Sequence, residues 1–297
     1  MQRFEVEAID ELHVHGPPEL MRCELMSPFA WASPDERLHL LIRAVPPAEA
    51  DNPITGGIWY GMGEPDGLTF RMDDKAVLNP GPGPYDIGGC EDPTVVPVED
   101  ELLVYYTGLD ANGDGRLLYA RGADGHTLEK CGIALDSSKT ERNTKEAAVD
   151  RTEDGRWRLF YEYSHDCRSK IGLASGDGPK GPWHEQGDPL TAREDKWDSW
   201  HLSTGPLLMG DRTAPVMLYN GADRRPEWGI GWVVFKPDCA TVVERSDEPL
   251  IAPPECQWEG RDFSFAASAI LRPNSCIWLY FSRNDHKPFR ATIRRNY

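Results

Sequence analysis

Basic charge is scarce in this chain. Its 297 residues hold 32 lysines and arginines against 49 aspartates and glutamates, a formal net charge of −17. A nucleic-acid binder needs a basic face to displace counterions from phosphates, and an anionic membrane surface makes the same demand. Neither partner fits. The acidity confers solubility and is compatible with a neutral or cationic ligand without arguing for one. Paired cysteines are missing too. The seven cysteines (23, 90, 131, 167, 239, 256 and 276) are scattered, odd in number and never in a CxxC pair. That usage predicts reduced thiols in a cytoplasmic protein and excludes a disulfide frame or a zinc site. The N-terminal stretch MQRFEVEAIDELHVHG has no apolar core of a signal peptide, and no later run approaches a membrane span. Eight histidines include no HExxH and no compact His/Cys cluster, so no metal or other cofactor is expected. GxSxG is absent. The Gly-Pro run at 79–84 lacks the lysine and helix of a phosphate loop. DANGDG at 110–115 lacks the closing glutamate of a calcium loop and reads as a hairpin turn.

Long amphipathic helical patterns are also lacking. In their place stand short apolar runs rich in β-branched and aromatic residues, separated by Gly, Pro, Asp and Asn. Five of these runs recur: Leu38–Val45, Leu102–Leu109, Trp157–Ser164, Pro215–Ala222 and Ile277–Asn284, with starts 64, 55, 58 and 62 residues apart. Each is preceded by another strand-like run and a polar turn, and each is followed by a third run; the first four have a fourth. Five such meanders predict an all-β, five-bladed β-propeller with four antiparallel strands per blade, which protects its sheet edges by closing the ring. The whole of 1–297 is then one domain, with blades at roughly 20–75, 88–135, 145–190, 200–247 and 260–297. The last blade lacks an outer strand, and residues 1–10 are expected to supply it. A β-sandwich with chance similarity is the competing fold.

In a propeller the first strand of each blade lines the central channel, so polar residues at the starts of first strands and the ends of second strands converge on one mouth. The first-strand set is Ser27, Glu91, Asp92, Lys145, Glu146, Ser203, Thr204, Asp262 and Ser264. The second-strand set is Arg43, Tyr106, Glu162, Asn220, Asp223, Arg283 and Asp285. Trp31, Tyr106, Trp200, Trp228 and Phe263 lie nearby in sequence, and His201 beside Trp200 reads as a wall or core histidine. Carboxylates with aromatic platforms suit a sugar, whose C–H faces stack on rings and whose hydroxyls need hydrogen bonds. The sharpest motif is GCEDPTVV at 89–96. Asp92 precedes a proline, which biases it toward extended backbone and would hold its carboxylate at the rim. An ordinary turn or cap aspartate is the bland alternative.

These pieces, in order, resemble glycoside hydrolase family 130, the β-mannoside phosphorylases and β-mannosidases built on five-bladed propellers. LLIRAV, CEDPTVV followed by LLVYYTG, TKEAAV, WDSWHLSTGPLL with VMLYNGAD, and VVERSDEPLIAPPE carry the resemblance, which spans Arg37 to Glu255 with a weaker match over Trp258–Tyr280. The resemblance implies that Asp92 is the general acid, that Arg43, Glu91 and Tyr106 contact sugar or orient that acid, and that Lys145 stands where the phosphorylases bind phosphate. Departures are equally informative. Glu162 falls where the phosphorylases have an arginine, Asn220 where they have a histidine, and Thr94 where the EDPR motif has its arginine. Phosphate needs fixed positive charge, so these exchanges favour water as the acceptor. Inverting hydrolysis needs an acid and a base flanking the anomeric carbon with room for water. Asp92 and Glu162 are the expected pair, with Asp223, Glu146 and Asp262 in reserve. The expected partner is therefore an oligosaccharide or glycoside, and a homo-oligomer is compatible with the sequence. Phosphorolysis, a silent glycan-binding propeller, and the neighbouring five-bladed families 43 and 32 are the rivals. The last place an aspartate base in the first blade, whereas Asp35 here falls in a turn.

Overall fold

The computed structural model describes residues 3–47, 54–135, 142–225, 227–253 and 263–296. It is an all-β structure whose strands follow the apolar runs. In chain order come β1 (Phe4–Glu11) and β2 (His13–His15), a 3-10 turn at Leu20–Arg22, then β3 (Glu24–Ala32), β4 (Leu38–Val45), β5 (Gly57–Gly63) and β6 (Thr69–Leu78). The second unit holds β7 (Gly89–Val98), β8 (Glu101–Leu109), β9 (Gly115–Gly122) and β10 (Glu129–Leu135). The third holds β11 (Arg142–Arg151), β12 (Trp157–His165), β13 (Arg168–Gly176) and β14 (His184–Leu190). Seven short strands form the fourth: β15 (His201–Ser203), β16 (Leu207–Leu208), β17 (Val216–Met217), β18 (Asn220–Ala222), β19 (Gly229–Ile230), β20 (Val233–Phe235) and β21 (Val242–Arg245). Last come β22 (Ser264–Arg272), β23 (Cys276–Arg283) and β24 (Lys287–Arg295). No helix among the described residues is long and apolar enough to cross a membrane. The six described cysteines are free thiols.

Four-stranded blades describe only part of this. Six sheets form, with orders β2-β6-β5-β4-β3, β10-β9-β8-β7, β11-β12-β13-β14, β15-β18-β19, β16-β17-β20-β21 and β1-β24-β23-β22. The first sheet gains a fifth strand because β2 pairs in parallel with β6. The fourth unit splits into two ladders at Pro206, which has no N–H to donate. Backbone hydrogen bonds from Leu218 N to Pro206 O (3.0 Å) and from Gly231 N to Tyr219 O (2.9 Å) bridge the gap. The N-terminal strand β1 pairs antiparallel with β24.

Apolar packing lies between sheets. One cluster joins the first and second units through Leu41, Tyr60, Val95 and Val104. Others join second to third (Leu103, Leu159), third to fourth (Phe160, Met217) and fourth to the last sheet (Val234, Leu279). A fifth joins the last sheet back to the first through Ile270, Tyr280 and Leu40. The first strands touch in the same cyclic order: β3 lies beside β7 and β22, β7 beside β11, β11 beside β16, and β16 beside β22. Side chains tie these strands where ladders do not. Ser268 Oγ accepts from Ala30 N (2.8 Å) and donates to Pro28 O (2.9 Å), and Thr94 Oγ1 donates to Ala147 O (2.7 Å).

Candidate active site

The first strands of three successive units break register at the same station. Shifts fall between Met26 and Phe29 in β3, between Glu91 and Thr94 in β7, and between Lys145 and Ala148 in β11. A bulge inserts an unpaired residue and re-aims its side chain. The residue concerned has a left-handed backbone in each case: Ser27 (φ 49°), Asp92 (φ 48°) and Glu146 (φ 51°). The extended backbone expected for Asp92 from the following proline is therefore overturned. The bulge dominates, and it also accommodates Pro93, which cannot donate to a regular ladder. Non-glycine residues held at positive φ cost about 1–3 kcal/mol each and persist where the surrounding structure imposes them.

All three side chains line one cavity of about 270 Å³, with Arg43, Glu91, Lys145, Glu162, Ser169, Trp228, Phe263, Phe265, Ser282 and Asp285. That volume is near the lower end for small-molecule sites. Ser27 Oγ donates to Asp92 Oδ1 at 2.7 Å, and Ser27 N donates to Ser282 Oγ at 2.8 Å. Arg43 Nη2 donates to Glu91, its Nε to Thr55 O at 2.9 Å, and its Nη1 lies 3.6 Å from Asp92 Oδ1. Lys145 and Glu162 are register partners on β11 and β12, which sets Nζ 3.6 Å from Oε1. Thr204 Oγ1 donates to Glu146 O and pins that bulge to the fourth unit.

Removal from water raises the Glu146 carboxyl well above the usual range, and the neighbouring charge of Asp92 and a side-chain hydrogen bond with it push the same way. Glu146 is thus held as the acid, with its proton beside Asp92. Burial also raises Glu91 against the opposing pull of Arg43, and burial raises Asp285. Lys145 is raised chiefly by Glu162, and burial of Arg43 is outweighed by Glu91 and Asp92, so both cations stay protonated. Among the described residues the cavity carries five carboxyl groups and two cations, each cation already facing a carboxylate.

No family model matches the chain. A β-1,2-mannobiose phosphorylase from Thermoanaerobacter sp. (strain X514) is 25% identical over 239 residues, covering 78% of this chain and 75% of that protein. This likeness supports the resemblance to glycoside hydrolase family 130. Solved structures share the fold. The β-1,2-mannobiose phosphorylase from Listeria innocua, in complex with β-1,2-mannobiose, is 16% identical with a TM-score of 0.74, covering 96% of this chain and 90% of that one. Another, presented under the finding that the family 130 mannoside phosphorylases include glycoside hydrolases targeting β-1,2 mannosidic linkages in Candida mannan, is 19% identical with a TM-score of 0.74, covering 91% and 84%.

Six of the thirteen site residues expected from sequence meet in the cavity: Asp92, Glu162, Arg43, Glu91, Lys145 and Glu146. His201 stands just behind it; its Nδ1 accepts from Ser169 N at 3.1 Å and its ring lies 5.6 Å from that of Trp228. Tyr106 does not reach the cavity. Its ring is buried between the first two units and its hydroxyl donates to Asp86 at 3.0 Å. Asn220 is a strut between first strands: Nδ2 donates to Thr204 O (2.6 Å) and Ala266 O (3.2 Å), and Oδ1 accepts from Ala266 N (2.7 Å). Arg283 lies over the rings of Phe281 and Phe289. Trp200 and Asp223 line a neighbouring cavity. Asp262 lies outside the described residues. Three cavity residues escaped the sequence reading: Ser169, Phe265 and Ser282. Ser169 and Ser282 gave no signal, since a lone serine in a strand is ordinary; Phe265 is the second residue of β22, and a lone aromatic residue in a strand is equally ordinary.

Proposed function

We propose that the chain is a β-mannoside-cleaving hydrolase of family 130, folded as one five-bladed propeller over 1–297 with β1 completing the last blade. The observation that carries this reading is the charge of the cavity. Five carboxyl groups face two cations, and Arg43 and Lys145 are already engaged by Glu91 and Glu162. A phosphate anion would enter an acidic site with no uncommitted cation, whereas water carries no such penalty. In this mechanism Asp92 protonates the glycosidic oxygen and draws its proton from Glu146 through their hydrogen bond. Glu162 takes a proton from the attacking water on the opposite side, giving inversion. Arg43 and Ser27 fix the Asp92 carboxylate, and Trp228, Phe263 and Phe265 supply apolar faces for the sugar ring.

Phosphorolysis is the second reading, supported by the name of the Thermoanaerobacter relative. One experiment separates them. The purified protein is incubated with β-1,2-, β-1,4-linked manno-disaccharides and their gluco counterparts, with and without inorganic phosphate, and the products are resolved by chromatography. Free monosaccharide formed without phosphate, falling by on the order of 10²–10⁴-fold in Asp92→Asn and in Glu162→Gln, is the expected outcome. Sugar 1-phosphate formed only with phosphate would replace hydrolysis by phosphorolysis. No turnover of any β-linked substrate would leave a glycan-binding propeller.

A further inference from the structure

A second cavity, of about 480 Å³, opens beside the first and is lined by Arg168, Glu194, Ser199, Trp200, Asp223 and Arg224. Arg168 and Ser169 are chain neighbours, and each lines one of the two cavities. The rings of Trp200, His201 and Trp228 form a continuous wall between them, with centroids 6.5 and 5.6 Å apart. Both guanidinium groups lie over the Trp200 indole, Arg168 at 3.8 Å and Arg224 at 4.3 Å from the ring centroid. Stacking on a ring occupies the π face of a guanidinium and leaves its in-plane N–H groups free to donate. Among the described residues neither arginine forms an ion pair. Asp223 is engaged elsewhere, accepting from Arg225 N at 2.7 Å and Arg225 Nη2 at 3.3 Å, and Glu194 is exposed to solvent.

In a chain of net charge −17 this arrangement is unusual. The first cavity has two cations, both paired with carboxylates; the adjoining cavity has two that form no ion pair with the Glu194 and Asp223 carboxylates that share its lining. Coplanar N–H pairs on guanidinium match the two oxygens of a carboxylate or of a phosphate ester. Trp200, expected to be a sugar platform, instead holds these arginines in place.

We propose that Arg168 and Arg224 form a subsite for an acidic group on the part of the substrate beyond the scissile bond, so that the preferred substrates are β-glycosides whose leaving unit carries a carboxylate or a phosphate ester. This rests on the glycoside-cleaving reading for its catalytic part, but the anion subsite can be tested without turnover.

Binding of free glucose, glucuronate and glucose 6-phosphate to the full chain is measured by titration calorimetry at low salt. The acidic sugars should bind at least tenfold more tightly than glucose, a difference of about 1.4 kcal/mol, and the preference should shrink as ionic strength rises. Which acid binds better distinguishes a uronate from a phosphate ester. Arg168→Gln and Arg224→Gln should each reduce the preference and together abolish it, with Arg71→Gln, a distant exposed arginine, as control. Thermal unfolding of each variant verifies the fold. For turnover, kcat/KM for β-mannosides of matched acidic and neutral alcohols should show the same ratio and the same collapse. Equal binding of acidic and neutral sugars, or a preference that survives both substitutions, overturns the proposal. Cleavage of neutral β-mannosides with no acid preference sinks this inference alone. Arginine-dependent acid binding without cleavage of any glycoside keeps the subsite and sinks the activity.

Discussion

Glu146 and Asp92 show how one residue's environment sets another's chemistry. Each sits at a bulge of its own strand, and the two carboxyl groups meet through a hydrogen bond. Two carboxylates so close in a half-buried site cannot both ionise cheaply, so Glu146 keeps its proton at pH values where an ordinary glutamate has lost it. Activity that draws on this proton falls as pH rises through the raised Glu146 pKa. In Glu146→Gln the amide can still hydrogen-bond Asp92 but cannot pass a proton, so the falling limb of the kcat profile should move to lower pH. The stability effect has the opposite origin and a definite sign. Above the unfolded value of 4.5 the unfolded chain has released this proton while the folded chain retains it, so the group makes the fold less stable as pH rises from 4.5 to its folded pKa. Glu146→Gln removes that penalty. Its melting temperature should exceed that of the wild type by at least about 2 °C at pH 8, with the gap closing as pH falls below the unfolded value of 4.5, where both states come to hold the proton. An unchanged falling limb together with a pH-independent difference in melting temperature would sink this assignment.

At the scale of elements, ladders supply most of the blade-like units, but side chains join their first strands. Asn220 is the clearest such joint, fully buried with both amide atoms bonded to backbone of two other segments. Asn220→Ala leaves Thr204 O, Ala266 O and Ala266 N without these partners. Buried polar groups left unmatched cost about 1–3 kcal/mol each, so a loss of about 3 kcal/mol is expected, read as a lower urea midpoint with an unchanged m-value. A loss below 1 kcal/mol would mean that the strut is not a structural joint. This residue also marks the limit of sequence reading. Apolar alternation located the strands well, and the polar residues opening first strands include Asp92, Lys145 and Glu146, which the structure brings to one cavity at register breaks of β7 and β11. The same logic placed Arg43, Glu162 and Asp285 in the cavity but failed for three other second-strand ends. Tyr106, Asn220 and Arg283 stand at equivalent positions, but the local partner of each decides its direction: Asp86 for the tyrosine, the backbone of β22 for the asparagine, and two phenylalanine rings for the arginine. No periodicity encodes those partners. The proline signal misled similarly, since Pro93 follows a left-handed Asp92 at a bulge rather than the extended backbone expected before a proline.

For the whole molecule, the cyclic order of the five apolar clusters makes the N-terminal strand the decisive element. Each cluster needs two sheets, and the one between the fourth and last units also takes Phe4, fully buried and 5.5 Å from Trp232. The strand β1 covers the edge of β24 along its length, and an uncovered edge strand is a template for intermolecular pairing. The β1–β24 pairing therefore joins residues nearly three hundred positions apart, and its contribution should appear as global stability rather than local order. Phe4→Ala should cost about 3–5 kcal/mol, which lowers the melting temperature by on the order of 10 °C, while kcat well below that temperature is unchanged because Phe4 is remote from the cavity residues. Removing residues 1–11 should do more: it strips every β1 hydrogen bond as well as Phe4, and the chain should melt earlier still and elute as larger species than the wild type by size-exclusion chromatography. The two variants separate packing from pairing. If Phe4→Ala destabilises and the truncation adds nothing, the phenylalanine anchors the last interface and the strand pairing is dispensable. If the truncated chain melts with the wild type and keeps its elution volume, the fold does not depend on β1 at all, and the last sheet is complete with three strands.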